Sequence, residues 1–293
     1  MHAPTVHRHL LAAAALALFA ATPALAAIDL GASQPFAVLA GATVTNAHSA
    51  PNPPTQLYGD VGTSPGLSIT GLSDGVNVTG GTIHAGDSTA QTAMTDAMAA
   101  YNALAALSFD TNLTGNALGS PGFATLTPGV YHFDTSAQLT GTLVLDFLNN
   151  PTGSFVFQVG STLTTASDSF ISVLNASAGN SIYWQIGTSA TLGTGTDFAG
   201  NVLALSSVTL APSAQIVCGR AIGLTGAVTL SDNLVSNDCV GQNFGLGLGD
   251  GGSLGFSGDG TVTPIPEPET AMMFIAGLLG LGLQRMKSSK QTS

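Results

Sequence analysis

In the second half of the chain, apolar positions alternate with small or hydroxyl-bearing ones, as in Phe155-Val156-Phe157-Gln158-Val159 and Ile182-Tyr183-Trp184-Gln185-Ile186. A period of two residues is the mark of β-strands, and clusters of Gly, Asn, Asp and Ser punctuate these runs as turns. The alternation is itself repeated. Thr142-Leu143, Thr162-Leu163, Thr191-Leu192, Thr209-Leu210 and Thr229-Leu230 are spaced by 20, 29, 18 and 20 residues. Gly200-Asn201-Val202-Leu203-Ala204-Leu205 returns 19 residues later as Gly219-Arg220-Ala221-Ile222-Gly223-Leu224. Two markers thus share one period of about nineteen residues, the size of a stacked structural repeat. Such a unit holds two or three short strands with tight corners, and stacking the units at about 4.8 Å pairs each strand with its equivalents above and below. The pattern predicts a mainly β chain, a β-solenoid in which Leu of each Thr-Leu pair points inward. The five threonines would then form one flat outward column of methyls and hydroxyls.

One stretch breaks the β pattern. Ala90, Met94, Ala97, Met98, Tyr101, Leu104 and Ala105 recur at helical spacing, and Asp87 or Ser88 suits an N-cap, which predicts one amphipathic helix over about 88–107. Its apolar stripe must lie along a flank of the solenoid, because nothing else between the two ends reads as helical. The methionines and tyrosine in it are packing residues and not a cofactor site.

Both ends read as processing signals, which divides the chain into 1–26, 27–240, 241–263 and 264–293. His7, Arg8 and His9 precede the apolar run Leu10 to Ala21, which closes on Ala24-Leu25-Ala26. That run is too short for a membrane anchor and ends in a small-residue cleavage site, as a secretory signal peptide does. Residues 241–263 include a Gly-rich run without a hydrophobic face, the composition of a flexible linker. At the far end, Pro266-Glu267-Pro268-Glu269 precedes an uncharged stretch up to Leu283 and then Arg285, Lys287 and Lys290. This tail resembles the Pro-Glu-Pro C-terminal (PEP-CTERM) sorting signal of Gram-negative bacteria, which implies export, transient membrane contact and release at the cell surface.

Charge enters the picture once the ends are set aside. The whole chain carries a net charge of −11, with five basic and sixteen acidic residues. Both glutamates and every Lys belong to the tail, so Arg220 is the only Lys or Arg between the signals and its acidic counterparts are all Asp. Such a surface repels nucleic acid and anionic lipid. Cys218 and Cys239 are the only cysteines, and their separation of 21 is one repeat plus two. Adjacent coils would bring them close, so in an exported protein they are candidates for a disulfide that staples the last coil; two buried free thiols are the alternative.

Catalytic patterns are thin. Gly62-Thr63-Ser64-Pro65-Gly66 matches a nucleophile elbow in letters only, since no helix pattern follows the serine. Gly247, Gly249 and Gly252 lack the flanking strand and helix of a phosphate loop. His48, His84 and His132 sit in separate segments without metal-ligand spacing, so no metal or cofactor is expected. A polysaccharide lyase needs cations to hold an acidic sugar, and a glycosidase needs paired acids; neither set stands out. Arg220 occupies the column of Asn201 and reads as a turn-capping residue.

Phe36-Ala37-Val38-Leu39-Ala40-Gly41, Gly59-Asp60-Val61-Gly62-Thr63-Ser64-Pro65-Gly66, Leu126-Thr127-Pro128-Gly129-Val130-Tyr131, Phe155 to Ser161, and Trp184-Gln185-Ile186-Gly187 through Gly200-Asn201 together resemble the bacterial and fungal ice-binding protein family. The resemblance covers about residues 28–237. It implies a right-handed, discontinuous β-solenoid of triangular section with one long helix along a face, and adsorption to ice through a flat β-face. The ice-contact candidates are then Thr142, Thr162, Thr191, Thr209 and Thr229, on a secreted monomer. A structural or adhesive matrix protein, in contact with extracellular polysaccharide, is the other function that this scaffold would serve.

Overall fold

A computed structural model describes residues 28–48, 54–177 and 179–237. The leader, the Gly-rich linker, the C-terminal tail and Cys239 lie outside these residues. Every strand pairing between named strands is parallel, which is what stacking of successive coils requires. Two sheets result, one of fifteen strands and one of eight among the described residues.

The smaller sheet runs in the order Ser68–Thr70, Thr43–Ala47, Val228–Ser231, Val208–Leu210, Ala190–Leu192, Leu163–Thr165, Ala137–Leu139 and Ala117–Leu118. Chain order and stacking order therefore part company. From Ala117–Leu118 to Val228–Ser231 each coil lies on its predecessor, but the N-terminal strand Thr43–Ala47 is added onto Val228–Ser231, and Ser68–Thr70 onto that. The stack is discontinuous. The larger sheet repeats the arrangement: Phe36–Ala40 pairs with Gln215–Gly223, and Gln56–Tyr58 with Leu234–Ser236.

Two long strands, Asp197–Ala204 and Gln215–Gly223, join two runs of shorter strands in the larger sheet. They turn a corner at Gly200, where φ is +103° and the register with the neighbouring strand shifts. A Cβ there would lie 2.6 Å from Ile182 Cγ2, so the corner needs glycine.

Inside, equivalent positions of successive coils stack like with like. Tyr131, Phe157 and Trp184 are register partners, with ring centroids 5.5 and 3.9 Å apart, and Phe198 lies 4.8 Å beyond Trp184. The indole N–H of Trp184 donates to Ala199 O at 3.0 Å, which leaves this fully buried side chain no unpaired polar atom. Leu139, Leu192, Leu210 and Leu230 form a second interior column, as the Thr-Leu pattern predicts. In one coil Thr165 takes that place, buried, with its hydroxyl paired to Thr196 Oγ1 at 2.7 Å and accepting from Gly193 N at 2.8 Å.

The helix forms at Ser88–Ala105, inside the predicted span. Asp87 is its N-cap and accepts from Ala90 N at 2.9 Å. Its buried residues, Ala90, Ala93, Met94, Ala97, Ala100, Tyr101 and Leu104, follow the i, i+3, i+4, i+7 stripe. That stripe packs on outward side chains of the larger sheet, among them Val130, Val156, Tyr183, Leu203 and Ile222. Strands beneath the helix are thus buried on both faces, which is why Ser181–Ile186 reads as a continuous buried run. Gln158 Nε2 donates to Leu104 O and Leu107 O, both at 2.8 Å, and so satisfies carbonyls at the end of the helix.

Residues 28–35 clasp helix and stack together. Asp96 on the helix accepts from Ala32 N, and Tyr183 OH donates to Ile28 O. Arg220, in the column of Asn201 as read from the sequence, is fully buried; it donates to Asn201 Oδ1 at 2.8 Å and through Nε to Gln34 O at 2.9 Å. Burial lowers its pKa to about 10. Its role is wider than a turn cap, since it ties the entering N-terminal segment to the stack.

Candidate functional site

The smaller sheet leaves one side of its strands outside the core. Its register aligns Thr70, Thr45, Thr229, Thr209, Thr191 and Thr164 in a single column, followed by Gln138 and Ala117. Residues on either side of this column point inward: Val44, Val228, Val208, Ala190, Leu163 and Ala137 before it, Leu230, Leu210, Leu192 and Leu139 after it, all buried. The threonines are exposed, apart from Thr209, which is intermediate. At about 4.8 Å per coil the six span about 24 Å.

The expected single column of five Thr-Leu pairs is corrected here. Thr191, Thr209 and Thr229 share the column. Thr162 does not: Leu163 pairs with Ala190 and Thr164 with Thr191, so the chain is phased two residues from the Thr-Leu reading in that coil. Thr162 belongs to a neighbouring column. Thr142 begins the strand Thr142–Asp146 of the larger sheet, where its column continues through Phe170, Asp197, Gln215, Leu234 and Gln56. Conversely Thr45, Thr70 and Thr164 stand outside the Thr-Leu pattern, because Asn46, Gly71 and Thr165 follow them. A broader signal finds them: a small or hydroxyl residue, an apolar residue, then Thr, as in Thr43-Val44-Thr45, Ser68-Ile69-Thr70, Thr162-Leu163-Thr164, Ser189-Ala190-Thr191, Ser207-Val208-Thr209 and Ala227-Val228-Thr229.

Three first residues of those triplets, Thr162, Ser189 and Ser207, use their hydroxyls where the last residues do not. Ser136 and Thr162 hydrogen-bond through their hydroxyls at 2.8 Å, Ser189 Oγ accepts from Ser207 N at 3.4 Å, and Ser207 Oγ accepts from Ala227 N at 3.2 Å. These hydroxyls tie coil to coil. In the Thr column, by contrast, no hydroxyl has a hydrogen-bond partner among the described residues. Each keeps a donor and acceptor for water beside a methyl group, and the β-branched side chain is stiff about χ1. No Asp, Glu, Lys, Arg or His lies on any of the eight strands.

Titratable groups gather elsewhere. His48 pairs with Asp232 at 2.6 Å, His84 with Asp87 at 2.7 Å and His132 with Asp134 at 3.1 Å. Among the described residues no group of three His, Cys, Asp or Glu is placed to hold a metal. The Gly62 to Gly66 stretch is the end of the strand Asp60–Thr63 and a bend before Ser68–Thr70, without a following helix. Cys218 is buried at the strand corner.

Stacked parallel coils, one helix along a flank and an uncharged, outward Thr column among the described residues make an extended, repetitive surface. The chain belongs to the ice-binding-like family, whose model matches residues 38–236. It is 50% identical over 210 residues to an ice-binding protein of Nostoc sp. (strain HG1), which covers 72% of this chain and 74% of that protein. Among solved structures it resembles an ice-binding protein from an Antarctic biological consortium, with 37% identity and a TM-score of 0.64 over 73% of this chain and 93% of that one. A second is the ice-binding protein of the Antarctic ascomycete Antarctomyces psychrotrophicus, with 36% identity and a TM-score of 0.62 over 72% and 98%.

Proposed function

We propose that this protein binds ice by adsorption, without catalysis, and that the contact surface is the column Thr164, Thr191, Thr209, Thr229, Thr45 and Thr70. One observation carries the choice of face: six threonines stand in register on parallel strands, with hydroxyls that have no hydrogen-bond partner among the described residues. Ice presents hydrogen-bonding oxygens around apolar gaps, so an array of methyls and free hydroxyls at a fixed repeat can hold water in an ice-like layer that merges with the crystal. Rigid threonines make this possible because little side-chain freedom is lost on contact. Each contact is weak, and repetition on a stiff scaffold adds them. Thr162 would lie at the border of the surface, and Thr142 outside it.

The same reading includes a right-handed stack of triangular section, a monomer, and export directed by residues 1–26 with sorting through 264–293 in a Gram-negative cell envelope. It also includes a Cys218–Cys239 bridge closing the last coil. Intact mass with and without reductant, followed by alkylation, tests the bridge; two thiols alkylated in the native exported protein would remove it. For ice, the exported protein is assayed for thermal hysteresis and for inhibition of ice recrystallisation. Activity at micromolar concentration is expected. Its absence from folded protein would leave the alternative of a matrix or adhesive protein built on the same scaffold.

A further inference from the structure

The Thr column stops before the stack does. Below Thr164 the register continues to Gln138 and then Ala117, while the coil itself is unchanged. Ala137 and Leu139 point into the core as Ala190 and Leu192 do, and Ser136 is hydrogen-bonded to Thr162 in the neighbouring column. Only the outward side chain differs. Gln138 is exposed and has no hydrogen-bond partner among the described residues. It carries three rotatable bonds against one in Thr, so immobilising it costs more, and its side chain is longer than that of threonine.

We infer that Gln138 sets one end of the adsorbing surface: it holds an approaching crystal away from the coils of Ala137–Leu139 and Ala117–Leu118 and limits the contact to six coils. This rests on the Thr column being the ice-contact face. Because the backbone register runs on past Thr164, a threonine at this position would extend the column to seven without rebuilding anything beneath it. An exposed strand position also accepts Thr readily.

The test compares Gln138→Thr, Gln138→Ala and Thr191→Tyr with the unaltered exported protein, each checked for an unchanged melting curve. The reading is the concentration that half-inhibits ice recrystallisation. Gln138→Thr should lower it by about twofold or more, because one further contact is added to a repeated array. Gln138→Ala should lower it less, since it removes the obstruction without supplying a hydroxyl. If Thr191→Tyr destroys activity while both Gln138 variants match the parent, the boundary is overturned and the face stands. If Thr191→Tyr keeps full activity, the face fails and the boundary falls with it.

Discussion

Two columns of outward side chains run along this stack through many of the same coils and take opposite courses. The one through Thr191 repeats threonine six times. The one through Thr142 passes to Phe170, Asp197, Gln215, Leu234 and Gln56, in an environment buried enough to push the Asp197 carboxyl above the usual aspartate range. Both lie on parallel strands of a single scaffold. Strand propensity favours Thr on an exposed strand of either kind, so if it alone chose the residues, both columns would be Thr-rich. The Thr142 column, half-buried after Thr142 itself, shows that stacking tolerates aromatic, acidic, amide and aliphatic side chains at equivalent positions. Threonine in six successive coils of the other sheet is what the adsorption proposal accounts for.

The two columns separate most sharply when the same bulky residue is placed on each. Thr191→Tyr or Thr209→Tyr, at the centre of the six, should reduce thermal hysteresis about tenfold or more, because a protruding ring spoils the fit of its neighbours as well as its own contact. Thr142→Tyr should leave hysteresis unchanged. Thr70→Tyr, on the last strand, should fall between, since only one side of its contact is lost. Equal losses at Thr142 and Thr191 would erase the distinction between the columns.

Stability and adsorption should separate at Arg220, which serves the scaffold and not the surface. Arg220→Leu takes the Arg220 donors from Gln34 O and Asn201 Oδ1, leaving Gln34 O the long 3.5 Å contact from Asn237 Nδ2, and should cost about 3 kcal/mol in urea unfolding. Ice activity per folded molecule should be retained. A fall in activity at intact fold would mean that the N-terminal coils bearing Thr45 and Thr70 had shifted against Thr229.

The smallest expected effect is that of pH. No strand of the Thr sheet bears a titratable side chain, so hysteresis should be flat between about pH 5 and 8. Acid should act on the scaffold. The Asp87 carboxyl is held below the ordinary value of 3.8, first by the Ala90 amide and then by His84. A lowered folded pKa gives stability that is fully present above the unfolded value and withdrawn as pH falls through the folded one. Loss of the helix N-cap, followed by circular dichroism, should therefore begin only below about pH 4, with hysteresis per folded molecule constant above it.

Much of this architecture can be read directly from residue order. Alternation at period two marks the strands, recurrence near nineteen marks the coils, and the helical stripe with Asp87 ahead of it marks Ser88–Ala105, because each depends on neighbours within one coil or one turn. The interior Leu column and the placement of Arg220 beside Asn201 followed from the same repeat. Thr162 shows where that kind of reading breaks down. A slip of one residue would turn every side chain to the wrong face, but a slip of two preserves inside and outside. The pattern of apolar and hydroxyl residues was therefore satisfied by the wrong register, and only hydrogen bonding between coils, Leu163 to Ala190, corrected it.

Residue order is enough to dictate that this chain stacks, which side chains face inward, and that Arg220 is the only Lys or Arg in residues 27–263. Which coils become neighbours is set only when the whole chain has folded. Thr45 and Thr70 lie far from Thr229 along the chain, yet they extend its column because the N-terminal coils close onto the C-terminal end of the stack. Local periodicity is blind to that step. Any coil of this design offers the same strand edges to any other, and the choice falls to contacts that exist only once the chain has folded back on itself: residues 28–35 against the helix and Arg220 against Gln34.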